Sequence, residues 1–308
     1  MKLFLLSKED IELSKDEVLA LYQPDSFELV DNLLIFETNK DYSNRLAYTK
    51  KIYSLLKRGE GLDIAADIDF SRIIGNKSFR TKSKSKTKEN ELAKIIFSKL
   101  KDPKVELKNP EIIIEILETD GETIICKVET IISTDWRNRL PHKKPEMSPT
   151  SLNPRLAMAM INLAKNPKGV LCDPFCGTGG ILVEGGLLGH KTIGFDIDEI
   201  VLRKAKINLD HYKLDSKLVH KSCLENNETF DFVVTDLPYG KNTKVTDSLD
   251  ELYRNFFDKY YDLCSVMIIG LPSFIEYKKL VGKWVIEKEY EVYLHKNLSK
   301  KILILKKD

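Results

Sequence analysis

The chain has 308 residues, long enough for two or three domains with sizeable cores, and its 42% hydrophobic and 31% charged content is that of an ordinary soluble globular protein. Five cysteines, at 126, 172, 176, 223 and 264, show no paired spacing, and no second Cys or His pair complements Cys172 and Cys176. A disulfide framework and a zinc site are thereby excluded; reduced thiols in a cytoplasmic protein without a metal are expected. The net charge of +2 hides an asymmetry, because residues 1–70 carry 9 bases and 14 acids whereas 71–145 carry 17 bases and 11 acids. Positive charge gathered in the middle third points to a polyanion partner.

Taken in chain order, the apolar run Leu3-Phe4-Leu5-Leu6 is far too short for a signal peptide or a membrane span and reads as a strand over 2–6. A second strand at 33–38 and helices at 15–22 and 44–56 complete a small α+β unit over residues 1–55. Residues 56–135 form a second unit, with a helix at 89–100 and strands at 111–118 and 123–133. Asp120-Gly121 suits the hairpin turn between those strands. The polar, basic, proline-bearing stretch 136–149 reads as a linker.

From 150 to 308 helices and strands alternate. Asn153-Pro154 is a helix start, with a capping side chain and proline in the first turn. Strands at 169–172, 192–195, 217–220, 230–235 and 266–270 are separated by helices at 180–188, 199–211 and 249–263, with a further helix at 274–281. Closing strands at 290–295 and 301–305 suit an antiparallel pair. The expected fold class is α/β, a mostly parallel, Rossmann-like sheet covered on both faces with an antiparallel strand near its end, preceded by α+β units.

Two loops at expected strand ends carry chemistry. Asp173-Pro174-Phe175-Cys176-Gly177-Thr178-Gly179-Gly180 opens a helix, and Gly177 and Gly179 let the backbone approach a ligand closely. Dinucleotide binding would need a third glycine where Leu182 stands, and a phosphate loop would need Lys-Ser/Thr where Ile181-Leu182 follow Gly180. Asp196 ends the next strand and is placed to accept from both hydroxyls of a ribose, with Ile197 against an adenine ring and Asp198 left to cap the following helix. The second loop, Asp236-Leu237-Pro238-Tyr239-Gly240, follows the apolar Phe232-Val233-Val234. Its carboxylate and a nearby carbonyl suit the two protons of a flat exocyclic amine, and Tyr239 suits stacking on the base that bears it. The two loops together read as methyl donor plus amine.

"DPFCGTGGILVEGGLLG", "IGFDID" and "TDLPYG" resemble the S-adenosyl-L-methionine-dependent amino-methyltransferases, and among them the archaeal tRNA N2-methyltransferases that act on guanosine 10. The stretch "NRLPHKKPEMSPTSLNPRLAMAMINLA" resembles that family's lead-in to the catalytic domain, so the match runs over about 137–240. The resemblance implies a small N-terminal domain at 1–55, a THUMP RNA-binding domain at 56–135, a linker at 136–149 and the methyltransferase domain at 150–308. It also implies S-adenosylmethionine as cofactor, tRNA as partner and a monomer. Asp173, Phe175, Gly177, Thr178, Gly179, Asp196 and Ile197 would hold the cofactor, and Asp236, Leu237, Pro238 and Tyr239 the target base. This chain departs from the family in having Leu237 for the second residue of Asp-Pro-Pro-Tyr, a variation met in enzymes acting on guanosine 6. Where the family has an acid for the adenine amine it has Lys221-Ser222-Cys223, leaving that contact to Ser222 or the Cys223 backbone.

Arg72, Lys77, Arg80, Lys82, Lys84, Lys86 and Lys88 form a run free of acids, in which "SFRTKSKSKTK" reads as a flexible loop contacting phosphates without reading sequence. Taken alone, a solvated charge run explains it equally well; the THUMP-like setting favours RNA. Arg137, Arg139, His142, Lys143 and Lys144 form a second basic cluster, with His142 a surface or contact residue rather than a catalytic base. Rival readings are a tRNA N2-methyltransferase acting on guanosine 6, which Leu237 leaves open, an N6-adenine DNA methyltransferase, since the cradle serves any planar exocyclic amine, and a catalytically silent RNA-binding protein.

Overall fold

The computed structural model describes the chain except residues 120, 149–150, 167, 240–248 and 296–297. Asp120 of the expected hairpin turn, Pro149 of the expected linker and Gly240 of the second loop lie outside the described residues. By contacts the chain divides into two units, one of Met1–Ile11, Pro24–Ser43 and Thr49–Ile132, the other of Glu12–Gln23, Asn44–Tyr48 and Ser133–Asp308. Nearly all of the first helix, α1 (Ile11–Tyr22), therefore belongs with the second unit. Among the described residues no helix is long and apolar enough to cross a membrane.

The first unit is built on one eight-stranded sheet. Its strands are β1 (Lys2–Leu6), β2 (Glu28–Val30), β3 (Leu33–Phe36), β4 (Thr49–Gly59), β5 (Ser78–Lys82), β6 (Lys104–Val105), β7 (Ile112–Thr119) and β8 (Glu122–Ile131), in the order β2-β3-β1-β4-β8-β7-β5-β6. The boundary expected at residue 55 falls inside β4, and both expected N-terminal units contribute strands to this sheet. Along β7 the odd–even alternation is plain, with Ile112, Ile114 and Ile116 buried toward Phe70 of α2 (Phe70–Ile74) and Leu92 and Ile96 of α3 (Lys86–Lys99).

Two expectations fail here. Residues 44–56 are not a helix: a 3-10 turn at Ser43–Arg45 leads into β4. The pairing of β4 with β8 shifts register between Ile52 and Tyr53 and again between Leu55 and Lys57, and such bulges break the alternation that would have marked a strand. Nor is 78–88 a flexible loop. Phe79 and Thr81 point inward from β5, and Ser85 caps α3 by accepting from the Lys88 N–H at 3.4 Å.

The second unit carries a seven-stranded sheet of order β11-β10-β9-β12-β13-β15-β14. The strands are β9 (Val170–Asp173), β10 (Lys191–Asp196), β11 (Ser216–His220), β12 (Phe232–Asp236), β13 (Val266–Pro272), β14 (Val285–His295) and β15 (Leu298–Lys306); among the described residues β9 to β13 pair in parallel, and β15 runs antiparallel to both β13 and β14. Successive residues of each central strand feed two cores. Leu171, Phe232, Val234 and Ile268 meet α4 (Pro154–Leu163) and α5 (Gly180–Leu187) on one face. Cys172, Val233, Met267 and Ile269 meet α7 (Leu249–Tyr261) on the other. Asn153 caps α4 with Pro154 behind it, and Asp198 caps α6 (Glu199–His211), accepting from Ile200 N at 2.9 Å. The helix expected at 274–281 shrinks to a 3-10 turn at Tyr277–Lys279; Tyr277, Leu280, Val281 and Trp284 are buried at helical spacing, but the chain turns at Gly282, φ +58°.

The expected linker is packed structure. Its residues form 3-10 turns at Asp135–Arg139 and Pro141–Lys143, and the Arg139 guanidinium donates to both oxygens of Glu184 at 2.9 and 2.7 Å, in a pair whose side chains are 15% and 1% exposed. Removing one partner of a buried pair leaves the other charge uncompensated. Arg139→Ala should therefore cost about 3–5 kcal/mol in chemical denaturation, and Arg139→Met with Glu184→Leu should recover most of it. A loss within ~0.5 kcal/mol for the single variant would show the pair to be dispensable.

Candidate active site

In a parallel sheet the ligand crevice lies at the carboxyl ends of the strands where the order reverses. Here the chain runs from β9 outward to β10 and β11, then returns to place β12 on the other side of β9. Asp196, Asp173 and Asp236 end β10, β9 and β12, three adjacent strands. A single cavity of about 610 Å³ opens over these ends. Its lining runs from Ser151 through Phe175, Gly177 and Thr178, past Asp196, Ile197, Ser222 and Cys223, to Asp236, Leu237, Pro238 and Tyr239.

The glycine-rich loop is held tightly. Gly177 and Gly179 have φ of +52° and +79°, the left-handed region that a side chain disfavours. The Gly177 N–H donates to Asp196 Oδ2 at 3.0 Å, Cys176 N–H to the Phe195 carbonyl at 2.9 Å and Gly179 N–H to the Cys176 carbonyl at 2.8 Å. Asn208 of α6 donates to the Thr178 carbonyl at 2.9 Å, and the Thr178 and Ser151 hydroxyls are 3.0 Å apart. Asp196 also accepts from the Asp198 N–H at 2.9 Å, and burial raises its carboxyl above the usual range. Ile197 is 51% exposed at the cavity rim, an apolar face open to a flat ring. Ser222 is tied into a short turn, accepting from Leu224 N, beside buried Cys223.

Asp173 is the most perturbed of the three acids. Wholly buried, it accepts from the Thr235 hydroxyl at 2.6 Å and the Phe175 N–H at 3.2 Å, yet burial pushes its carboxyl to about 7, with Asp236 and Asp196 adding repulsion. In the second loop the Leu237 side chain enters the core and its N–H donates to the Gly270 carbonyl at 2.9 Å. The Tyr253 hydroxyl of α7 donates to the Pro238 carbonyl at 2.5 Å, holding the turn from behind. Lys300 of β15 places Nζ 2.5 Å from both oxygens of Asp236.

The cavity thus brings together every residue expected at the cofactor and base sites except Gly179, which stands behind the loop against Ala205. Sequence reasoning missed Lys300, Tyr253, Thr235 and Ser151. For Lys300 a signal existed: it shares a strand face with Ile302 and Ile304, where a core residue is expected. In the basic cluster, Arg139 is spent on Glu184, and Lys144 is 6% exposed, its ammonium without a hydrogen-bond partner among the described residues and pulled below the usual lysine range by burial. Neither is a surface cation; Arg137 and Lys143 are exposed. In the first unit Arg72, Lys77, Lys84 and Lys86 are exposed and Lys82 is half-buried, while Arg80 donates to the Leu107 carbonyl and Lys88 pairs with Glu118.

Because the folded state keeps a proton on Asp173 up to about 7 while an ordinary carboxyl releases it near 3.8, raising pH across that window should destabilise the protein. The share due to Asp173 is on the order of 4 kcal/mol. Asp173→Asn should flatten the fall of thermal stability between about pH 4 and 7 relative to the parent chain; an unchanged slope would mean that Asp173 is ionised throughout.

The RMKL-like methyltransferase domain model matches residues 141–299, a span containing both loops, and a DNA methylase model matches residues 31–206, which ends before Asp236. Over 98% of both chains, this protein is 29% identical to the tRNA (guanine(10)-N2)-dimethyltransferase of Methanothermobacter thermautotrophicus. It is 34% identical to the enzyme of the same name from Methanocaldococcus jannaschii over 80% of this chain and 75% of that one. The solved structure of TrmN from Thermus thermophilus aligns over 99% of both chains with a TM-score of 0.56 and 18% identity, which shows a shared fold. With a site-bearing domain match over half its length and such relatives over most of it, the chain belongs to the RMKL-like methyltransferases and, within them, to the family of the archaeal tRNA (guanine(10)-N2)-dimethyltransferases.

Proposed function

We propose that this protein methylates the exocyclic N2 amine of guanosine 10 in tRNA, with S-adenosylmethionine as donor. The observation that carries the reading is the single cavity lined at one end by the glycine-rich loop and Asp196 and at the other by Asp236–Tyr239. The residues fit the donor: two glycines open the floor, Asp196 offers acceptor oxygens for ribose hydroxyls, Ile197 an apolar face for adenine and Ser222–Cys223 polar atoms for its amine. About 610 Å³ is within the roughly 300–1,000 Å³ of small-molecule sites. When bound, S-adenosylmethionine supplies a methyl group on a sulfonium, electrophilic without a metal.

The guanine amine is a poor nucleophile because its lone pair is delocalised into the ring. Asp236 and the Leu237 carbonyl accept its two protons, draw the nitrogen toward a tetrahedral shape and aim the lone pair. Asp236 takes the proton released after transfer and passes it to water, a duty that needs no raised basicity because a protonated aryl amine is strongly acidic. Positioning supplies much of the acceleration. Guanosine 10 lies in a paired stem, so the base must leave the stack, and Tyr239 receives it. The alignment of both tRNA enzymes over most of the chain favours the RNA reading.

Residues 56–135, most of them in the first unit, act as the THUMP RNA-binding domain that follows the small domain of 1–55 in sequence. The exposed cations from Arg72 to Lys86, together with Arg137 and Lys143, neutralise phosphates. Purified protein, labelled S-adenosylmethionine and an unmodified tRNA transcript, followed by nucleoside analysis, test the reading. N2-methylated guanosine at position 10, one methyl or two, is expected; modification at position 6, or of adenine in DNA alone, would overturn the assignment. Asp236→Ala should lower transfer at least ~100-fold with cofactor affinity unchanged, and persistent transfer would remove Asp236 from the mechanism. Neutralising Lys82, Lys84 and Lys86 together should raise KM for tRNA and reduce the salt slope by roughly one per lost phosphate contact; an unaltered slope would return the run to a solvated face.

A further inference from the structure

Lys300 reaches Asp236 from two strands away. Asp236 on β12 is in register with Gly270 on β13, and Gly270 with Ile302 on β15. Strands lie about 4.8 Å apart, so the Lys300 stem must cross the whole of β13. It crosses at Gly270. A Cβ on that residue would lie 2.8 Å from Asp236 Oδ1, closer than such atoms sit, and a tight 3.3 Å from Lys300 Cδ. The slot left by the missing side chain is what admits the lysine. Its side chain is 3% exposed, and its ammonium also stands 5.3 Å from the centroid of the Tyr239 ring. One buried cation therefore touches both the acceptor and the stacking ring of the amine cradle.

Burying a lysine is costly, and an apolar residue there would continue the Ile302 and Ile304 face at no such cost. A sheet needing only packing has no use for it. We propose that Lys300 is the positioning residue of the cradle, holding Asp236 as a carboxylate turned to the target amine and bracing one face of Tyr239 so that the other takes the base. The inference rests on the amino-methyltransferase reading above.

The surroundings of Asp236 say why a cation is required. Burial pushes the Asp236 carboxyl upward, and Lys300 is the charge that opposes it. Asp173, which keeps its own proton up to about 7, stands on the neighbouring β9, Tyr253 from α7 and Tyr239 from its own loop bring only hydroxyls, and Lys300 is the one cation against it among the described residues. A protonated Asp236 would keep only a neutral, weaker acceptor and could turn an O–H donor toward the amine's own N–H. By opposing that rise Lys300 also limits the basicity of Asp236, which suits an acceptor that orients the amine.

The test compares the parent chain with Lys300→Met, Lys300→Arg and Gly270→Ala, each first checked for folding and cofactor affinity. Lys300→Met should lower kcat at neutral pH ~100-fold or more with KM for tRNA within about threefold, and move the acid limb of the kcat profile up by more than about one pH unit. Lys300→Arg should restore most of that limb, and Gly270→Ala should reproduce part of the loss. In difference infrared spectra, Lys300→Met should gain at neutral pH a protonated-carboxyl band that Asp236→Asn removes; this readout needs no turnover, so it judges the inference even where the reading of the substrate fails. A folded Lys300→Met that transfers at the parent rate, or loses activity with neither limb nor band altered, would overturn the proposal.

Discussion

Three aspartates end three neighbouring strands, and the site depends on keeping those acids together where water is scarce. Like charges at close quarters in a poorly polarisable medium repel strongly, and each buried carboxylate also loses hydration. The structure answers differently at each position. Asp196 is compensated by two backbone N–H groups, Asp173 by a hydroxyl, a backbone N–H and a retained proton, and Asp236 by a lysine. These answers set the duties. Asp196 keeps free acceptor capacity at the cavity, Asp173 holds the loop, and Asp236 alone of the three has a lysine to oppose the upward push of burial.

The rest of the second unit serves that arrangement. Reversal of strand order at β9 brings Asp173 and Asp236 side by side, and the crossing helices leave the carboxyl ends open. Tyr253, Gly270 and Lys300 fix the second loop from α7, β13 and β15, so the parts of the sheet latest in sequence determine the geometry of a motif that looks self-contained. Behind the first loop, Asn208 ties Thr178 to Glu146, and Arg139 ties the preceding segment to Glu184, so the glycine-rich turn rests on buried polar contacts. Such networks favour one arrangement because each partial alternative leaves a polar group unpaired.

Much of this was legible in the sequence, for reasons that differ by element. The second unit was readable because its strands are apolar runs separated by capped helices, so Asn153 and Asp198 announce themselves locally. The residues of both loops were found for the same reason, their chemistry being contiguous. What escaped was non-local or disguised. Strand β4 hid behind two register shifts, and β5 hid because a lysine-rich surface alternation masks Phe79 and Thr81 beneath it. The segment 136–148 looked like a linker because Arg139 and Lys144 are cations, and nothing nearby in sequence reveals that Glu184 awaits one of them. Lys300 is 64 residues from Asp236 and two strands away, and only the sheet order makes them neighbours.

The central claim is that Asp236 and the Leu237 carbonyl accept the two protons of a guanine amine while Tyr239 stacks on its ring. The most direct measurement is a structure of the protein with demethylated cofactor and a tRNA bearing unmodified guanosine 10. The account requires the extruded guanine against Tyr239, its N2 within hydrogen-bonding distance of Asp236 and of the Leu237 carbonyl, and the Lys300 contact intact. A guanine still paired in its stem, or seated with N2 away from Asp236, would contradict it.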